Sequence, residues 1–120
     1  MKVVLLSKDL MFISRVKEVA AARGGEAVIA RNDAALTDAL HSTQGGSVLI
    51  DLEKPSLPLE LLKDRLASLD TNLWRTVGFY SHVHVDTAEQ ARAIGLQEVV
   101  PRSKFVQLLP GLFHNQGSEG

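Results

Sequence analysis

The stretch Ser47-Val48-Leu49-Ile50-Asp51-Leu52-Glu53-Lys54-Pro55 constrains the fold most. Val48, Leu49 and Ile50 form an unbroken run of branched apolar residues. Such a run has no wet side, so it reads as a strand buried on both faces at the middle of a parallel sheet. Asp51 then lies at the carboxyl end of that strand, where open α/β sheets place their ligands. Pro55 cannot donate to a ladder, so the strand has ended before it. Asp51 has two readings at this point: a residue that bonds to the amides of its own loop, or a functional carboxylate.

Val3 to Leu6 is a second such run and predicts a second central strand. Ser7 is placed to cap the helix that follows, with Asp9 in its first turn. Leu10, Ile13, Val16 and Ala20 are spaced for the inner face, which Phe12, Val19 and Ala22 widen. Gly24-Gly25 stops this helix. Glu26 to Ala30 predicts a strand, and Asn32 or Asp33 caps a helix running to Leu40. Gln44-Gly45-Gly46 is a turn into the Asp51 strand. A third helix carries Leu59, Leu62, Leu66 and Leu69 inward, with Pro58 suited to its first turn. Arg75 to Tyr80 predicts a fourth strand, followed by a loop over Ser81-His82-Val83-His84-Val85. Thr87 and Gln90 have the spacing of a capping box for a helix through Ile94. Glu98 to Val100 is a fifth strand cut short by Pro101. Ser103 caps a last helix with Phe105, Leu108, Leu109, Leu112 and Phe113 inward, and Pro110 predicts a kink or break.

The pattern is strand-helix five times over. It predicts an α/β sandwich, (βα)5, with a five-stranded parallel sheet between helices, because right-handed crossovers place helices on both faces. The two most apolar strands belong at the centre, which favours the order 2-1-3-4-5 and a crevice between the ends of strands 1 and 3. One domain over 1–113 is expected, with a flexible polar tail over 114–120. The net charge of −1 argues against nucleic acid. No apolar run is long enough for a membrane span, and Ser7-Lys8-Asp9 interrupts the first apolar run too early for a signal peptide. A cytoplasmic protein is the expectation. The absence of cysteine removes disulfides and thiolate metal sites.

On this order of elements, on Asp51 with Pro55 four residues later, and on Ser81 ending strand 4, the chain resembles the response-regulator receiver family. The resemblance covers roughly Lys2 to Phe113 and implies the CheY-like, flavodoxin-like fold. Receivers accept a phosphoryl group on an aspartate, with a bound magnesium ion, and signal through helix 4, strand 5 and helix 5. The resemblance makes Asp51 the phosphoacceptor equivalent and Ser81 the hydroxyl that bonds the phosphoryl oxygen.

Two of the family's positions are changed. Ser7 and Lys8 stand where receivers carry an acidic pair for the metal, and Asp9 comes one residue late. Pro101 stands at the lysine place, followed by Arg102. Magnesium asks for near-octahedral oxygen ligation. Phosphoryl transfer asks for neutralisation of the spread charge, which the metal and the lysine supply. The reading is therefore a stand-alone, atypical receiver-like module of two-component-type signalling that binds a protein partner and has a degraded phosphorylation site. No cofactor and no metal are expected. The partner face is helix 4, strand 5 and helix 5, with Tyr80, Arg102 and Phe105 near its edge; a homodimer is also open. Ser7, Lys8, Asp9, Glu53, His82, Pro101 and Arg102 are placed around the crevice, with Lys8 either in solvent or paired to Asp51 and Glu53 a spare carboxylate. Two alternatives stand beside this. One is a working phosphoacceptor in a phosphorelay using Asp51 and Ser81. The other is a metal-dependent or acid-base enzyme built on His82, His84 and Asp51, since two imidazoles and a carboxylate form a known zinc set.

Overall fold

The computed structural model describes residues 2–41, 45–81 and 85–113. The elements alternate without exception. They are β1 (Lys2–Leu6), α1 (Leu10–Arg23), β2 (Glu26–Ile29), α2 (Asp33–Leu40), β3 (Gly46–Asp51), α3 (Leu59–Ala67), β4 (Trp74–Tyr80), α4 (Val85–Ala93), β5 (Glu98–Pro101) and α5 (Arg102–Leu112). The five strands pair in parallel in the order β2-β1-β3-β4-β5, as the apolar runs predict.

The continuous runs are explained by a core on each side of the sheet. Val3, Leu5, Leu49, Val77 and Phe79 face α1 and α5, where Phe12, Ile13, Val16, Phe105, Leu109 and Leu112 meet them. Val4, Leu6, Val48 and Ile50 face the other way, against Leu36 and Ala39 of α2, Leu62 and Leu66 of α3 and Ala91 of α4. Neighbouring residues of a strand point to opposite faces. A strand covered on both sides must therefore be apolar at every position.

Two glycines are fixed by close approach at the start of β3. A Cβ on Gly46 would lie 2.1 Å from the Lys2 carbonyl oxygen, and one on Gly45 would lie 2.1 Å from that of Leu73. Both have positive φ, which glycine adopts without steric cost. Gly24 ends α1 in the left-handed conformation, and the Gly25 amide reaches back to the Ala20 carbonyl in a Schellman-type closure.

Several helix starts differ from expectation. Asp9, not Ser7, is the N-cap of α1. The helix therefore begins at Leu10, which is 71% exposed rather than inward, and Ala22 is exposed too. Asn32 caps α2 through the Ala35 amide at 2.7 Å. Helix α4 begins at Val85, before Thr87, so Thr87 lies inside it and not at its cap. Helix α5 begins at Arg102, one residue before Ser103, and its N-cap Pro101 offers no side-chain bond. Pro101 extends β5 and pairs with Tyr80. A proline is tolerated there because β5 is an edge strand and the ladder ends with it. Pro110 sits within the last turn of α5, which continues to Leu112. The tail over 114–120 and the residues His82 and His84 lie outside the described residues.

Candidate functional site

The site follows from register. Leu6 of β1 pairs with Ile50 of β3, so the next residues along the two strands, Ser7 and Asp51, emerge side by side at the carboxyl edge of the sheet. Both are buried: Ser7 is 1% exposed and Asp51 5%. The Ser7 hydroxyl donates to Asp51 Oδ2 at 2.8 Å. Asp51 Oδ1 accepts the amides of Glu53 and Lys54, each at 3.0 Å. The Lys8 amide donates to the Lys54 carbonyl at 2.9 Å, which joins the loops after β1 and β3. Asp51 thus does bond to the amides of its own loop. The chain supplies it with three donors, two of which the turn after β3 creates.

Asp9 sits one step further out. Its amide donates to the Ser7 hydroxyl oxygen at 3.0 Å. Its Oδ1 caps α1 by accepting from the Met11 and Phe12 amides at 3.1 and 3.3 Å. Its Oδ2 meets the Arg102 guanidinium at 3.2 Å. Partial burial pushes the Asp9 carboxyl upward in pKa. The Phe12 amide, Arg102 and the Met11 amide outweigh that and hold it below the ordinary value. The guanidinium carbon of Arg102 also lies 4.9 Å from the centre of the Phe12 ring. Phe12 stacks on Phe79 with ring centres 4.4 Å apart, and Phe79 on Phe105 at 4.3 Å.

The other expected residues divide around this core. Ser81 is exposed at the end of β4, and its amide donates to Glu53 Oε1. Glu53 therefore bridges the loops after β3 and β4. Lys8 is exposed and borders a shallow pocket with Lys54, Pro55, Ser56 and Leu57. Among the described residues, no ion pair joins Lys8 to Asp51. Phe105, expected near the edge of a partner face, is fully buried instead, because its helical position turns it onto Phe12 and Phe79. No metal-competent group of three or more histidine, aspartate or glutamate residues occurs among the described residues. No helix among them is long and apolar enough to cross a membrane.

Two features escape the reading of sequence. The hydroxyl of Ser7 serves Asp51 rather than a helix end, and the signal for it was the matched position of the two residues after their apolar runs. The Asp9–Arg102 pair spans most of the chain and leaves no local signal.

The sequence matches no protein-family model and no curated protein sequence. Solved structures do match in fold. A response regulator from Thermotoga maritima superposes with a TM-score of 0.69 at 12% identity, covering 93% of this chain and 96% of that one. A CheY-like response regulator receiver domain protein from Methanospirillum hungatei JF-1 gives 0.69 at 13%, covering 99% and 98%. The phosphorylated cyanobacterial phytochrome response regulator RcpA gives 0.68 at 17%, covering 92% and 89%. The chain has the CheY-like receiver fold, over nearly the full length of these relatives in structure.

Proposed function

We propose that this domain is a protein-recognition module of two-component-type signalling, cytoplasmic in setting, whose Asp51 is not a working phosphoacceptor. One observation carries the reading: the crevice at Asp51 is filled by the chain's own donors. In the resembled family the metal is held by an acidic pair after β1. Here Ser7 holds one of those places and bonds Asp51 through its hydroxyl. Lys8 holds the other and is exposed. Asp9 holds the α1 cap and Arg102. A hard cation needs several free oxygen ligands in near-octahedral array. Asp51 and Asp9 each already accept three hydrogens, and Glu53 takes the Ser81 amide, so the donor set is a poor fit to magnesium.

The partner surface proposed is the α4, β5 and α5 face. Tyr80, half-buried beside Pro101, is its aromatic contact. Phe105 belongs to the core and takes no part. The working-phosphoacceptor reading predicts a different outcome in one experiment: incubation with a small acyl phosphate and magnesium, followed by intact-mass spectrometry. The expected result is no phosphoryl adduct. A near-stoichiometric adduct that disappears in Asp51→Asn would overturn the proposal.

A further inference from the structure

Arg102 is the first residue of α5, yet its side chain turns away from that helix. The guanidinium meets Asp9 Oδ2 at 3.2 Å and lies over the Phe12 ring at 4.9 Å. Met11, Ser14, Arg15, Glu18 and Val106 line the same groove between α1 and α5. Isolated surface ion pairs contribute little, because two long side chains lose entropy to meet. This pair differs on both sides. The Asp9 carboxylate is already fixed by capping α1 and is only 19% exposed. The guanidinium carbon lies over a buried ring, a contact better suited to arginine than to the compact ammonium of lysine.

Asp9 also donates its amide to Ser7, which donates to Asp51. An unbroken path of hydrogen bonds therefore runs from Asp51, at the centre of the sheet edge, through Ser7 and Asp9 to Arg102 at the start of α5. We infer that Arg102 is a positioning residue that latches the start of α5 to the α1 cap through Asp9 and Phe12. The latch makes the start of α5 depend on the crevice without any bound ligand. It does not rest on the proposed function, because it is read without a partner or a phosphodonor.

The test uses the whole chain and four variants: Arg102→Gln, Arg102→Lys, Asp9→Asn and the Asp9→Asn/Arg102→Gln double. Asp9→Asn keeps a side-chain oxygen to cap α1 while removing the charge. Arg102 is 39% exposed by side chain, so its variants keep the core intact. Amide hydrogen exchange is followed by NMR. Exchange at Val106 and Gln107, in the first two turns of α5, is expected to quicken at least tenfold in Arg102→Gln and in Asp9→Asn. The double variant is expected to match the single ones, and Arg102→Lys to recover part of the protection. The Ser7 and Asp51 amide resonances are expected to move in all the variants. Changes confined to residues 9 and 102, or effects that add in the double variant, would overturn the latch.

Discussion

Replacing Phe105 by alanine tests whether this domain can switch at all. In the resembled family, a hydroxyl at the Ser81 place and an aromatic in strand 5 move together. Here β5 reads Glu98-Val99-Val100-Pro101 and holds no aromatic. The nearest is Phe105, on α5, which is 0% exposed. Its ring centre is 4.3 Å from that of Phe79 and 5.3 Å from that of Phe12. Truncating a buried phenylalanine costs about 3–5 kcal/mol through lost transfer energy and the cavity left behind. Each aromatic pair contributes about 0.5–1.5 kcal/mol, part of it already within that cost. A domain of this size has roughly 5–15 kcal/mol of stability in all. Phe105→Ala is therefore expected to fold, but with a urea midpoint far below that of the parent. Trp74, 3% exposed, reports the transition by fluorescence. Swinging the ring outward would leave a similar cavity, and a strong population shift needs about 5.5 kcal/mol of differential binding. On the proposed reading, Ser81 with no lysine at the Pro101 place has little with which to supply it. A loss below about 1 kcal/mol in Phe105→Ala would show that the site collapses freely and would refute the reasoning. So would large amide shifts, with a phosphoryl mimic bound, spreading from Ser81 through α4 to Arg102.

Ser7→Ala is expected to cost about 1–3 kcal/mol in urea unfolding, since Asp51 Oδ2 loses its hydroxyl donor while staying buried. Gly46→Ala is expected to give no soluble folded protein at 25 °C, because its methyl would overlap the Lys2 carbonyl and part β1 from β3; a normal thermal melt would contradict the packing. Calorimetry with millimolar magnesium chloride is expected to show no one-site isotherm, and one that vanishes in Asp51→Asn would count against the proposed function. Acid unfolding is expected to begin as pH falls below the ordinary carboxylate value of 3.8. Asp9 and Asp33 both have depressed folded values, so their contribution is fully present above the unfolded value and is lost as pH falls through the folded one. The acid limb of the melting curve should flatten in Asp9→Asn, and an unchanged limb would contradict the assignment.

The parts of this fold that sequence discloses are those set by local pattern. The Val3–Leu6 and Val48–Ile50 runs place two strands at the centre because each residue of such a strand needs an apolar layer on its own side. The sheet order and the position of Asp51 follow from that. Helix starts are less legible, because a serine hydroxyl is a cap only when nothing else claims it. Ser7 looks like a cap until register sets it beside Asp51. Ser103 looks like one until α5 is found to begin at Arg102. Asp33 was one of two candidates for the α2 cap; Asn32 takes the cap, and Asp33 instead holds Arg65 of α3 by two bonds of 2.7 and 2.6 Å. Contacts between elements distant in the chain carry no periodicity, and the Asp9–Arg102 pair is of that kind. The spacing of Phe105 marks it as core, and a side chain buried there cannot also lie at the edge of a partner face.

Asp51 and Asp9 take different kinds of partner in this crevice. Asp51, at 5% exposure, is held by a hydroxyl and two amides, all neutral donors. Hydrogen bonds to a charged group each contribute about 1.5–3 kcal/mol, so three of them offset much of the desolvation cost without a cation. Arg102 goes instead to Asp9, whose side chain accepts two amides and lies nearer to water. Lys8 has no buried carboxylate left to neutralise, and its side chain stays exposed. On the proposed reading, a phosphoryl group arriving at Asp51 meets a carboxylate whose Oδ2 already accepts the Ser7 hydroxyl and whose Oδ1 accepts two loop amides. Displacing Ser7 also removes the acceptor of the Asp9 amide, and so disturbs the path that ends at Arg102. The bonds that hold Asp51 and those that reach the start of α5 thus share Ser7 and Asp9.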